Sequence, residues 1–122
     1  MLLNIFKKIY YEKYSKKSYS ISNVDLIIDR IFSNKKEGIY VDVGCNHPIK
    51  FNNTYLLYKR GWNGINIDLD NDSINQFNKL RKRDLNIKTL VTSFDDEEKQ
   101  LYFYHNRSAI NTVSKSLADK RV

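Results

Sequence analysis

Three short runs of β-branched and aromatic residues, "GIYVDV" (38–43), "GINIDL" (64–69) and "NIKTLVTS" (86–93), are separated by stretches with room for one helix each. That rhythm decides the fold class. The first run lies between Gly38 and Gly44 and reads as a buried parallel strand. After it, Asn53 offers an N-cap to "TYLLYKR", and Gly61 stands where a left-handed C-cap is wanted, which predicts a helix of about two turns. After the second run, Asp72 or Ser73 caps a helix carrying Ile74, Phe77 and Leu80. Strand, helix, strand, helix, strand predicts an α/β fold with a parallel sheet and right-handed crossovers. "KQLYFYHN" (99–106) predicts a further, hairpin-like strand after the acidic turn "FDDEEK". The segment "SAINTVSKSLADKRV" reads as a loop running into a helix start.

Ahead of the first strand, Leu2, Ile5, Phe6 and Ile9 recur at helical spacing with lysines between them, as in a basic amphipathic helix. Such an arm can lie on a membrane surface or pack on its own domain or a partner chain. After the polar "SKKSYSIS", Ser22 or Asn23 caps a helix whose Val24, Ile27, Ile28 and Ile31 form one apolar stripe, expected to cover the sheet. The organisation read from this is an arm at 1–22 and a single domain at 23–122. A chain of 122 residues has room for no more than one core of modest size.

The net charge of +7 is unevenly spread. The first 36 residues hold eight Lys or Arg against three acids, "KLRKRD" (79–84) is a second basic cluster, and "FDDEEK" (94–99) is acidic. A charge run most often covers a solvated face, and Lys and Arg at a helix C-terminus suit its dipole. No RNA-binding module motif accompanies the cluster, so nucleic acid is not the expected partner. A lone cysteine, Cys45, excludes an intramolecular disulfide and a multi-cysteine zinc site. No apolar run reaches the ~18 residues that span a bilayer, and lysines interrupt the N-terminal apolar stretch where a secretory signal would continue. The expected location is cytoplasmic.

In open parallel sheets, ligands bind beyond the carboxyl ends of the strands, and a glycine in the first turn admits them to the backbone. Gly44 occupies that turn. A dinucleotide site would continue G-x-G-x-x-G, but the sequence reads G-C-N-H-P-I, and no G-K-[ST] follows as in a phosphate-binding loop. A nucleoside ligand without phosphate needs less: one glycine, polar groups near the turn, and a carboxylate at the end of the second strand for the ribose hydroxyls. Asp42, Gly44, Asn46 and Asp68 supply that set, with Asp68 24 residues beyond Gly44. S-adenosylmethionine is such a ligand. The same pattern is also compatible with a plain turn, with Asp68 capping the next segment.

The stretches "YVDVGCNHPIKFNNTYLLYKRGWNGINIDLD", "FNKLRKRDLNI" and "SAINTVSKSLAD", in this order across residues 37–120, resemble the FkbM-type S-adenosylmethionine-dependent methyltransferases. The resemblance implies a Rossmann-like class I methyltransferase fold and methyl transfer to a hydroxyl of a sugar or secondary metabolite. It puts Asp42, Gly44, Cys45 and Asn46 in the donor-binding first loop and Asp68 at the ribose. Asn53 and Thr54 match an "NT" pair near the methionine end of the donor, and Asn111 and Thr112 match a later pair near the cleft. Members of the family continue to a fourth strand with a pattern like "IDVEG", so only about half of the family's sheet is expected here. A truncated, inactive half-domain acting through association with another chain, or self-association, is the alternative expectation.

His47 is the one candidate for a general base toward an acceptor hydroxyl, with no catalytic residue otherwise assigned. Cys45 as nucleophile would need an activating base, and a small cysteine in a tight turn is the commoner arrangement. A metal site from His47, His105 and Asp42 or Asp68 would need three convergent donors that the spacing does not suggest, so none is expected. Tyr55, Tyr58 and Trp62 read first as core aromatics and second as stacking surfaces for adenine or a sugar.

Overall fold

Alternation along each strand sorts its side chains onto two unlike faces, and the polar one is the covered one. The computed structural model describes residues 15–93, 100–105, 108 and 111–120. Within them run α1 (Val24–Ile31), β1 (Ile39–Val43), α2 (Tyr55–Lys59), β2 (Asn63–Asp68), α3 (Asn71–Leu80), β3 (Leu85–Lys88) and α4 (Lys115–Asp119). The fold is α/β: a small open sheet in the order β1-β2-β3, parallel throughout and flanked by helices. Tyr40, Asp42, Gly64, Asn66 and Asn86 point toward α2 and α3, whereas Ile39, Val41, Val43, Ile65, Ile67, Leu85 and Ile87 point away.

Two apolar clusters hold the helix side. Tyr40, Leu57 and Trp62 pack together with Ile28, Phe32 and Tyr58, and Cys45 packs with Ile74 and Phe77. Gly64 lets the layer close: a Cβ there would overlap the Tyr40 ring. Gly61 takes the expected left-handed conformation (φ +99°) after α2. Trp62 and Tyr58 are core residues, as their first reading has it.

Several expectations change. Of the apolar stripe of α1 only Ile28 packs on the core; Val24, Ile27 and Ile31 are 38%, 58% and 69% exposed, and the buried side carries Asp25 and Asp29. Polar partners decide the orientation. Asp25 accepts from the Ser18 and Ser20 hydroxyls and from the Tyr19 and Leu26 amides, and Asp29 pairs with Lys16 and with Arg60. Through these bonds and that from Asn52 N to Tyr19 O, residues 15–22 belong to the packed domain. The rest of the basic arm, with its Leu2, Ile5, Phe6 and Ile9 stripe, lies outside the described residues. Next, α3 begins earlier than expected, capped by Asp70, whose Oδ1 accepts from Asp72 N and Ser73 N; α2 begins one residue later than expected, with Thr54 and not Asn53 at its N-cap position. β3 ends at Lys88, opposite Asp68, because β2 offers no partner beyond that point. Finally, 100–105 contains no described strand but a single antiparallel bridge, Tyr102 to Thr112, and the acidic turn lies outside the described residues.

Gly64→Ala is expected to destabilise the fold by roughly 1–3 kcal/mol, as overpacking does, read as a lowered urea midpoint. Burial raises the pKa of Asp29, but hydrogen bonds and charge from Lys16 and Arg60 outweigh it and hold the carboxyl below its ordinary 3.8. A depressed folded value contributes stability that is present above pH 3.8 and lost as pH falls through the folded value. Thermal melts between neutral pH and about pH 2 should therefore fall more steeply for the native chain than for Asp29→Asn.

Candidate functional site

β1 delivers the chain to Gly44, which turns it with φ +70° and bonds its N–H to Ile67 O at 2.8 Å. A Cβ at Gly44 would meet no atom within 4 Å, so open space lies where the turn faces outward. Two residues on, Asn46 is also left-handed (φ +52°) and donates its N–H to Asp68 Oδ2 at 2.9 Å. Asp68 Oδ1 accepts from Asp70 N at 2.8 Å. The carboxylate is thus fixed between the first loop and the start of α3, with one backbone bond on each oxygen. Each carboxylate oxygen has two lone pairs, so Asp68 keeps one acceptor position on each for a ligand that brings two adjacent donors.

These residues border a cleft of about 280 Å³ at the carboxyl ends of the three strands. Val43 and Ile67 form part of its lining, Asp68 and Asp70 supply acid, Leu69, Leu90, Val91 and Leu101 supply apolar wall, and Ser108 and Asn111 approach from the last described segment. A second hollow of about 190 Å³ shares Leu69, Asp70 and Leu101 with it and extends to Phe103. Asn111 is fixed by its own bonds, donating from Nδ2 to His105 O and accepting at Oδ1 from Tyr104 N.

Of the residues singled out in the sequence, the structure brings Gly44, Asn46, Asp68 and Asn111 to one cleft. Asp42 and Thr54 meet each other instead, below the loop: Thr54 Oγ1 donates to Asp42 Oδ2 at 2.8 Å. Cys45 turns inward onto Ile74 and Phe77, and burial, then the negative charges of Asp68 and Asp42, push its thiol pKa far up. It lacks the thiolate character of a nucleophile. Asn53 is exposed and outside the cleft lining, and Thr112 is occupied in the bridge to Tyr102. His47 Nδ1 accepts from the amides of Ile49 and Lys50, both at 3.0 Å. That nitrogen serves the turn, which removes the lone pair a neutral imidazole base would use. Among the described residues, no group of three or more His, Cys, Asp or Glu side chains could hold a metal ion.

Sequence reasoning missed the residues that carry the loop. Arg81, fully buried, donates Nε and Nη2 to Pro48 O, Nη2 to Asn52 Oδ1, and Nη1 to Tyr40 Oη and Thr54 Oγ1. Phe77, Tyr55 and Tyr58 surround the guanidinium at 5.2–5.3 Å from their ring centroids. Asp84 completes the centre, 3.7 Å from Arg81 Nη1, accepting from Tyr40 Oη, Gly64 N and Asn66 Nδ2. Burial and then the bond to Asp84 raise the Tyr40 pKa. Asn52 passes the support on, donating to Asp42 Oδ2 and Cys45 O. A signal was present: Ile74, Phe77 and Arg81 are spaced 3 and 4 apart, on one helical stripe, while Leu80 turns outward, half exposed.

Comparison with protein-family models, with curated proteins and with solved structures finds no match.

Arg81→Met should cost roughly 3–5 kcal/mol because it strands Asp84 and the loop carbonyl. Arg83→Met, in the same basic run but exposed over Tyr58, should cost no more than about 1 kcal/mol. Urea titration of both variants checks the contrast.

Proposed function

We propose that the chain binds S-adenosylmethionine in the Gly44–Asp68 cleft and is an S-adenosylmethionine-dependent methyltransferase of the FkbM type. Its proposed acceptor is a hydroxyl of a sugar or secondary metabolite. The observation that carries the reading is the Asp68 carboxylate. It sits at the end of β2 beside a left-handed glycine turn and is held by two backbone amides, with acceptor positions left on both oxygens. A ribose presents two adjacent hydroxyl donors, and a carboxylate takes both.

The residues present fit such a donor. The space beside Gly44 admits a ligand against backbone, the apolar wall suits a purine, and the cleft is near the lower end of the ~300–1,000 Å³ usual for small-molecule sites. The bound donor supplies a methyl group on a positively charged sulfur. Asp68 orients the ribose, Gly44 sets the distance of approach, and the Arg81–Asn52–Asp42 chain of bonds keeps the first loop in one conformation. Rate would come from holding two reactants at reacting distance, with no covalent enzyme intermediate. The FkbM resemblance and the Rossmann-like order of the three strands support the same reading.

Calorimetric titration with S-adenosylhomocysteine tests it. The native chain should bind saturably, and Asp68→Asn should weaken binding by about 10- to 100-fold, the value of a hydrogen bond to a charged group, with an unchanged circular dichroism spectrum. A folded native chain that takes up no ligand overturns the donor reading. Equal affinity in the variant overturns the ribose assignment alone.

A further inference from the structure

Because the three strands run parallel, the turns that enter them share one end of the sheet and the turns that leave them share the other. Charge divides the same way. The entering turns, 32–38, 60–62 and 81–84, expose Lys35, Lys36, Lys82 and Arg83 against one exposed acid, Glu37. The cleft at the other end holds Asp68 and Asp70. Alongside α2 the basic end continues as a ladder of rings and cations. Tyr19 meets Tyr55 edge-on at 4.7 Å, and Tyr55 stacks on Tyr58 at 6.4 Å. Lys17 and Lys59 each lie 5.3 Å from the centre of the Tyr19 ring, and Arg83 lies 4.0 Å from that of Tyr58. The carboxylates beneath, Asp29 and Asp84, are buried and already paired with Arg60 and Arg81, so they do not neutralise this surface.

We propose that this surface rests on an anionic lipid bilayer, its lysines and Arg83 meeting the headgroups. Charge complementarity sets the sign of the partner, and the rings decide its class. Each ring of the ladder already carries a cation or another ring, since Arg81 also lies 5.2–5.3 Å from Tyr55 and Tyr58. A single-stranded nucleic acid binds by stacking bases on free ring faces, whereas lipid headgroups ask only for cations at the surface and amphipathic rings beside them. Chain order supports the same partner. The lysine-rich arm, whose Leu2, Ile5, Phe6 and Ile9 read as an amphipathic helix, joins the described residues at 15, next to Lys16 and Lys17. Stable attachment to a bilayer takes two such contributions, one electrostatic and one apolar.

The chain's own acidic run, 94–99, is tethered at the other end: Val91 and Leu101, which flank it, both line the cleft. Bound through its basic end, the chain therefore holds the cleft away from the headgroups by about the length of a five-residue strand, ~17 Å. Near an anionic surface each lysine or arginine multiplies partition about fivefold. Attachment built from a few of them is reversible and weakens as salt screens it.

The inference does not depend on the methyl-donor reading, and co-sedimentation of the full chain with lipid vesicles, no donor present, tests it. The native chain should sediment with phosphatidylcholine vesicles that contain phosphatidylserine, stay in solution with phosphatidylcholine alone, and be released by added salt. Lys17→Gln, Lys59→Gln and Arg83→Gln combined should lower partition about 100-fold, while Lys88→Gln, at the exposed carboxyl end of β3, leaves it unchanged. A second readout on the native chain covers the case in which the triple variant misfolds. Acetylation of Lys17 and Lys59 by a water-soluble reagent should slow when the phosphatidylserine vesicles are added, and that of Lys88 should not. A native chain that ignores anionic vesicles, or binds both kinds equally, overturns the proposal. A folded triple variant that partitions like the native chain does so too, because attachment then belongs to the arm alone. Acetylation slowed equally at Lys88, or slowed nowhere, also overturns it. Single-stranded RNA bound in place of vesicles, and lost in the triple variant, overturns it in favour of a nucleic acid.

Discussion

One buried guanidinium joins the first loop, α2 and β1, and through Asp84 it reaches β2. Arg81 follows α3, yet its bonds reach the first loop at Pro48 and Asn52, the start of α2 at Thr54, and β1 at Tyr40. A cation without solvent has to find both charge and geometry nearby. Asp84 supplies the charge and three aromatic rings close the sides. Asp84 in turn accepts from Gly64 N and Asn66 Nδ2 of β2. The polar centre thus does the cross-linking that an aliphatic layer cannot do directionally, because hydrogen bonds fix angles and apolar contacts do not.

The cleft inherits its shape from that centre. Gly44 and Asn46 are both left-handed, a conformation that costs a non-glycine residue energy and persists only where neighbours enforce it. The enforcement is visible on two sides. Asp68 takes the Asn46 amide from above, and Asn52, itself held by Arg81, takes Cys45 O and Asp42 from below. Phe51, left-handed at φ +52° and exposed, directly precedes Asn52. The strain there lies next to the residue through which the loop is anchored.

How much was legible in the sequence follows from which force decides each element. Strand type and parallel pairing were legible, because β-branched runs bounded by glycine are set locally and by burial; the first two strands formed where expected, and the third stops at Lys88. Gly44, Asn46 and Asp68 were legible for the same reason: strand ends are where a parallel sheet exposes backbone. The orientation of α1 was not. Val24, Ile27, Ile28 and Ile31 at helical spacing pointed one way, but Asp25 and Asp29 with six polar partners turned their own side inward, and of the four only Ile28 reaches the core. A periodicity rule weighs apolar residues and is blind to carboxylates whose partners come from a preceding loop and a later helix. Arg81 was hidden by its company, since Lys79, Lys82 and Arg83 around it are ordinary exposed cations and only its place on the Ile74–Phe77 stripe marked it.

The sheet's two faces divide the work unequally, and the cleft touches the aliphatic one, where Val41, Ile65 and Leu85 form one row and Val43, Ile67 and Ile87 the next. Specificity is invested on the helix side, in directional bonds, whereas the opposite side offers area without direction. Val43 and Ile67 belong to both regions: they end the aliphatic rows and line the cleft beside Gly44 and Asp68. Anything laid over the rows therefore presses on two side chains that a ligand also touches. With strands of only 5, 6 and 4 residues, those two side chains are a third of the six in the aliphatic rows.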